Sequence, residues 1–152
     1  MERDRIIIYT DGACSNNQSS DNIGGYGAIL TYKDHKKEIF GGSINTTNNI
    51  MELTAMIEAL KLVKNKKIET EVYSDSAYIV NCINQKWYEK WRKNNWKNSK
   101  RDPVKNKELW VELIDLIESF DNIKIIKVKG HSGIDLNEKA DELANKGIES
   151  IR

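Results

Sequence analysis

Four carboxylates stand where this sequence passes from one predicted element to the next. Asp11 ends an apolar run, Asp75 ends another, Glu52 lies in the first turns of a helical pattern, and Asp141 lies in the last helical pattern. Neighbouring strands in a sheet run about 5 Å apart. If the first and fourth strands are neighbours, Asp11 and Asp75 come together, and two flanking helices add Glu52 and Asp141. Like charges raise one another's pKa, so four acids that close cannot all stay ionised without a cation. Oxygen-only donors select hard divalent ions, Mg²⁺ or Mn²⁺, over zinc. Any one acid at a strand end reads as readily as a turn cap, so the chemistry rests on the group. His131, in the turn Gly130-His-Ser-Gly133, carries an imidazole that titrates near neutrality and can shuttle protons. His35, beside Lys36 and Lys37, reads as a surface residue.

The elements that must hold these groups follow from periodicity. Arg5-Ile-Ile-Ile-Tyr-Thr-Asp11 is apolar on both alternating sets, the pattern of a central strand covered on both faces. Gly24 to Lys33 and Lys36 to Ile44 read as a hairpin turning at Asp34-His35, so the first three strands form an antiparallel meander. Thr46 to Val63 has a cap-like start and apolar residues at Met56, Ile57, Leu60 and Val63, which is helical spacing. A strand over Glu71–Ser74, a helix over Ala77–Ile83, a helix over Lys107–Ser119, a strand over Ile123–Val128 and a helix over Leu136–Ile148 complete the chain. A meander followed by alternating helices and strands is a mixed sheet with helices packed on it.

Composition narrows the class. At 152 residues the chain fits one domain over 1–152, and 39% hydrophobic with 31% charged residues and one proline excludes disorder and low complexity. No run is apolar enough to span a bilayer, and Ile6 to Ile8 is too short for a signal peptide, so the expected location is the cytoplasm. Cys14 and Cys82 lack zinc or disulfide spacing and read as reduced thiols. The net charge is only +1, yet it is unevenly spread. Between Lys86 and Lys107 nine basic residues face two acidic ones, a local +7 that leaves −6 for the remainder. Trp87, Tyr88, Trp91 and Trp96 interleave with Lys90, Arg92 and Lys93 there. Aromatic rings for stacking among cations for phosphates suit a nucleic-acid strand. Trp87 and Trp91, spaced i, i+4, equally suit packing of a helix onto the body.

The motifs Tyr9-Thr-Asp-Gly-Ala-Cys14, Gly24-Gly-Tyr-Gly-Ala-Ile29, Thr46-Thr-Asn-Asn-Ile-Met-Glu-Leu53, Ser74-Asp-Ser76, Val128-Lys-Gly-His-Ser-Gly133 and Asn137-Glu-Lys-Ala-Asp-Glu-Leu-Ala144, with the Trp87 to Trp96 segment, occur in one order over nearly the whole chain. In that combination the sequence resembles the bacterial type 1 ribonuclease H family. The resemblance implies an α/β (mixed α+β) ribonuclease H-like fold. Its five-stranded mixed sheet has strands 4 and 5 parallel to strand 1, flanking helices and a basic protrusion. It implies an endonuclease that hydrolyses the RNA strand of RNA/DNA hybrids and leaves 5′-phosphate and 3′-hydroxyl ends. Asp11, Glu52, Asp75 and Asp141 match the family's catalytic acids, and His131 its mobile histidine. By that match two Mg²⁺ ions share Asp11, one held also by Asp141 and the other by Glu52 and Asp75, which suits an in-line displacement.

Recognition of RNA rests on its 2′-hydroxyls, which amides can both donate to and accept from. Asn48 and Asn49 beside Glu52 are suited to this and match family positions, with helix capping as their ordinary alternative; Asn17 matches a third polar contact. Thr47 and Asn106 match a phosphate pocket for the DNA strand, with Asn45 where the family has arginine and Ala77 where relatives carry a longer polar residue. Trp87, Lys90, Trp91, Arg92, Lys93 and Trp96 match the family's protrusion. A monomer is implied, with the hybrid as partner and no membrane association. The rivals are a nuclease of the same fold acting on DNA and a non-catalytic nucleic-acid-binding module.

Overall fold

In a computed structural model, residues 4–15, 22–97, 100–102, 104–128 and 135–151 are described. Five strands form one sheet: β1 (Arg5–Cys14), β2 (Ile23–Tyr32), β3 (His35–Ile44), β4 (Glu69–Ser74) and β5 (Ile123–Lys127), in the order β3-β2-β1-β4-β5. The β1–β2 and β2–β3 ladders are antiparallel, while β1–β4 and β4–β5 are parallel. The helices are α1 (Asn48–Lys61), α2 (Ala77–Asn84), α3 (Trp87–Lys93), α4 (Lys107–Glu118) and α5 (Asp135–Ser150). The mixed sheet with flanking helices is the architecture expected from the sequence.

Alternation along β1 feeds two cores. Ile6 and Ile8 join Leu53, Met56, Ile57 and Leu60 of α1, with Trp110, Leu113 and Ile114 of α4 behind them. Ile7 and Tyr9 point the other way, toward Ala140 and Leu143 of α5. Each large side chain fully buried on α1 contributes about 1.5–3 kcal/mol, which is what fixes that helix against the sheet. The opposite helix lies unusually close. A Cβ at Gly27 would stand 2.6 Å from the backbone nitrogen of Ala144, so only glycine lets α5 settle on β2.

Helix ends shift by a residue or two from the sequence expectation, and three differences in the sheet matter more. The β2–β3 turn is Lys33-Asp34, one residue early, because Tyr32 pairs with His35 and Lys33 takes φ 55°. Strand β4 begins at Glu69 rather than Glu71, since Glu69 already pairs with Arg5. Asp11 is not terminal: β1 runs on to Cys14 because its antiparallel ladder with β2 continues through Cys14↔Gly24. The parallel ladder with β4 does stop at Tyr9↔Tyr73, so Asp11 lies beside the place where β4 falls away. No helix among the described residues is long and apolar enough to cross a membrane.

Candidate active site

The notch where β4 leaves β1 is where the acids converge. Asp11 lies two residues past the last β1–β4 pair, and Asp75 directly follows the last residue of β4. Glu52 comes from the first turns of α1. That helix approaches β1 closely, because a Cβ at Gly12 would stand only 2.5 Å from the backbone nitrogen of Glu52. One carboxylate oxygen from each of Asp11, Glu52 and Asp75 lies within 4.8 Å of the others. The fourth acid arrives from the opposite face. Gly27, which pairs with Asp11 in the β1–β2 ladder, would place a Cβ 2.8 Å from the carbonyl oxygen of Ala140. Asp141 follows on α5, half-buried and near enough to raise the pKa of Asp11, but it is not among the acids that meet within 4.8 Å.

Burial and mutual repulsion set the electrostatics. Asp11 and Glu52 are 7% and 8% exposed. Burial, then the charge of Asp75, then the neighbouring Asp141 push Asp11 up to about 8, opposed by the Gly12 amide, which donates to Asp11 Oδ1 at 2.9 Å. Burial and the charges of Asp11 and Asp75 push Glu52 up to about 10. Glu52 Oε1 is buried and meets no hydrogen-bond donor among the described residues. An orphaned buried acceptor costs about 1–3 kcal/mol, and more for a charged group. A divalent cation would supply the missing partner and relieve the repulsion at once, so the oxygen-only donor set fits one.

Beside the acids, α1 presents its N-terminus. Thr47 caps the helix, its Oγ1 accepting from the Ile50 amide at 3.1 Å. That relieves Asn48 and Asn49 of the capping role open to them from sequence, and both are exposed in the first turn. Asn106 is half-buried at the N-cap of α4, with φ 61° and no side-chain cap bond. Asn17 and His131 lie outside the described residues.

The basic aromatic segment divides into anchors and free groups. Trp91 packs against Trp110 and Trp96, with ring centroids 5.7 and 6.1 Å away. The packing alternative holds for both: Trp91 is half-buried, and Trp87, though 36% exposed, is held by its indole N–H to Gln85 Oε1 at 3.0 Å and lies edge-on to the Tyr78 ring at 6.2 Å. Lys90 and Lys93 are exposed, with no carboxylate within 4.0 Å among the described residues. Arg92 differs. Its guanidinium grips Glu118 through two bonds of 2.8 and 3.0 Å and lies over the Tyr88 ring at 5.4 Å. Sequence reasoning missed this lock, and also the close approaches at Gly12 and Gly27. The lock spans 26 residues and carries no periodic signal, but the glycines stood in the quoted motifs.

The RNase H family model matches residues 3–149. A Ribonuclease H of Clostridium botulinum (strain Hall) is 52% identical over 147 residues, 97% of either chain. One from Syntrophomonas wolfei is 51% identical over 146 residues, 96% of this chain and 97% of its own. Among solved structures, LC9-RNase H1, a type 1 RNase H with the type 2 active-site motif, superposes with TM-score 0.84 at 26% identity, covering 99% of this chain and 74% of that one. LC11-RNase H1 in complex with RNA/DNA hybrid gives 0.69 at 26% identity, covering 97% and 99%.

Proposed function

Because the chain belongs to the ribonuclease H family, we propose that Asp11, Glu52, Asp75 and Asp141 are the catalytic acids of an endonuclease that hydrolyses the RNA strand of RNA/DNA hybrids. The observation that carries this reading is the meeting of three carboxylates within 4.8 Å around an unpartnered Glu52 oxygen. Asp11 and Asp141 would hold one Mg²⁺, and Asp11, Glu52 and Asp75 a second. Bound Mg²⁺ supplies Lewis-acid neutralisation of charge on the scissile phosphate and lowers the pKa of attacking water.

The remaining chemistry belongs to the chain. Burial of Asp11 and Glu52 keeps bulk water from screening their charges, which strengthens every interaction the acids make with a cation or phosphate. Asn48 and Asn49, freed from capping, read 2′-hydroxyls of the RNA strand beside the acids. Thr47 and Asn106 receive a DNA phosphate, with Asn17 a further polar contact to the RNA. Lys90 and Lys93, flanked by Trp87, Trp91, Arg92 and Trp96, track the DNA strand. His131 exchanges protons or helps release products, which carry 5′-phosphate and 3′-hydroxyl ends.

The direct test incubates the protein with end-labelled hybrid, duplex RNA and duplex DNA, each with Mg²⁺ or EDTA. Hybrid alone should be cut, and only with Mg²⁺. Cleavage of duplex DNA, or undiminished hybrid cutting in EDTA, would sink the proposal. Asp11→Asn should abolish turnover and leave hybrid binding in place.

A further inference from the structure

The ladder between β1 and β4 stops at Tyr9↔Tyr73, two residues short of both Asp11 and Asp75. Past that pair β4 stays tied to β5, where Ser74 pairs with Lys127 and its carbonyl accepts from the Val128 amide at 2.9 Å. Ladder bonds therefore hold the Asp75 end of β4 to the edge strand and not to the strand that carries Asp11. Helix α5 rests on β1, β2 and β3, so on this face the link from β1 to β4 falls to side chains. Across the last pair the two tyrosine rings stack, with centroids 4.6 Å apart and planes 9° from parallel. Each ring is also fixed from behind. Tyr73 donates its hydroxyl to Glu71 Oε1 at 2.8 Å, and Arg5 Nη1 lies 3.5 Å from the other oxygen of that buried carboxylate. Tyr9 is buried and packs with Ala140 and Leu143 of α5, the first of which adjoins Asp141.

Apolar bulk alone would satisfy a sheet interior at this pair. Here two flat rings lie in contact, and the hydroxyl of one is anchored to a buried ion pair. Ring thickness thus sets the spacing of the strands just where ladder bonds give out. We propose that the Tyr9–Tyr73 stack is a positioning pair: it fixes the gap between Asp11 and Asp75, and through that gap the affinity of the acids for a divalent cation. The inference rests on the reading of those acids as metal ligands. Carboxylates hold a cation well only when their separation is set before it arrives, and residues that support metal ligands are commonly worth about 10–100-fold in affinity. Neither tyrosine touches the ion. Both act through the two residues of backbone that separate them from an acid.

Calorimetric titration of Mn²⁺ into the substrate-free protein tests this. Tyr73→Leu removes the ring and should raise the Mn²⁺ Kd about tenfold, whereas Tyr73→Phe keeps the ring and should stay within about twofold of wild type. Tyr9→Leu combined with Tyr73→Leu should be no worse than Tyr73→Leu alone, since both remove one shared contact. In hybrid cleavage, Tyr73→Leu should raise the Mn²⁺ concentration for half-maximal rate by the same factor, while kcat at saturating Mn²⁺ stays within about twofold of wild type. Ile7→Ala, two residues earlier on the same face of β1, should lower stability yet leave the Kd unchanged. The pair is overturned by a wild-type Kd in Tyr73→Leu, by equal losses in Tyr73→Phe and Tyr73→Leu, or by an equal loss in Ile7→Ala. If Asp11→Asn takes up Mn²⁺ as wild type does, the metal reading itself fails and the pair fails with it.

Discussion

Gly12 and Glu52 touch through their backbones: a Cβ on the glycine would stand 2.5 Å from the glutamate's amide nitrogen and 2.7 Å from the Met51 carbonyl carbon. Both obstacles are backbone, so neither can rotate aside. Gly12→Ala should therefore push α1 off β1 and carry Glu52 with it. A loss of about 1–3 kcal/mol in denaturant unfolding is expected, as for other overpacked sites, together with a fall in kcat for hybrid cleavage. Wild-type stability and kcat in this variant would refute the close approach.

The acids also predict a pH dependence. Without a metal, burial and mutual repulsion push Asp11 up to about 8 and Glu52 up to about 10, from ordinary values of 3.8 and 4.5. From pH 4 upward the unfolded chain has released protons that the folded chain retains, so stability falls as pH rises through the folded values. Unfolding midpoints in EDTA should be lower at pH 9 than at pH 5. Mg²⁺ should restore much of the difference at pH 9, and Asp11→Asn in EDTA should be more stable than wild type there. A flat profile in EDTA contradicts the buried, coupled arrangement.

Cations in the protrusion should not be equivalent. Lys90→Ala and Lys93→Ala should each weaken hybrid binding and reduce the salt slope by about 1. Arg92→Ala should leave the slope nearly unchanged, because its fork is committed to Glu118. Binding measured at several salt concentrations distinguishes the two outcomes, and an equal drop in slope for Arg92→Ala would show that phosphate displaces Glu118.

Trp110 is the post to which the protrusion is tied. It is fully buried, with Tyr78 and Trp91 rings edge-on at 5.9 and 5.7 Å. Trp110→Ala should cost about 3–5 kcal/mol by the usual cavity penalty. Chemical denaturation measures it, and a loss below about 1 kcal/mol would mean the neighbours collapse into the space.

Periodicity made most of the fold legible. The apolar residues of α1 and β1 could pack only one way, so the meander and the first helix follow from spacing. Local pattern says nothing about where a ladder ends, which is why Asp11 reads as terminal although β2 carries β1 on to Cys14. The acids were legible as a set because two of them close apolar runs and the other two lie on helical patterns that must flank those runs, although Asp11 is internal to β1 and Asp141 lies in the middle of α5. Sequence left the cap of α1 open to Asn48 and Asn49, and the structure gives it to Thr47. Pairings such as Arg92 with Glu118 join residues far apart in sequence and become visible only once α3 and α4 are adjacent.

The backbone of the protrusion has a consequence of its own. Lys86, Asn95, Trp96, Arg101 and Asn106 all take φ between 54° and 65°, a region that costs a residue with a side chain about 1 kcal/mol or more. Five such residues within about twenty positions mean that the segment's path is dictated by its anchors, chiefly Trp91, Trp96 and Trp110, against local preference. For anyone transplanting this segment into another scaffold, the cations are the portable part. The shape travels only if the aromatic anchorage goes with it, or if glycines replace the residues whose torsions it enforces.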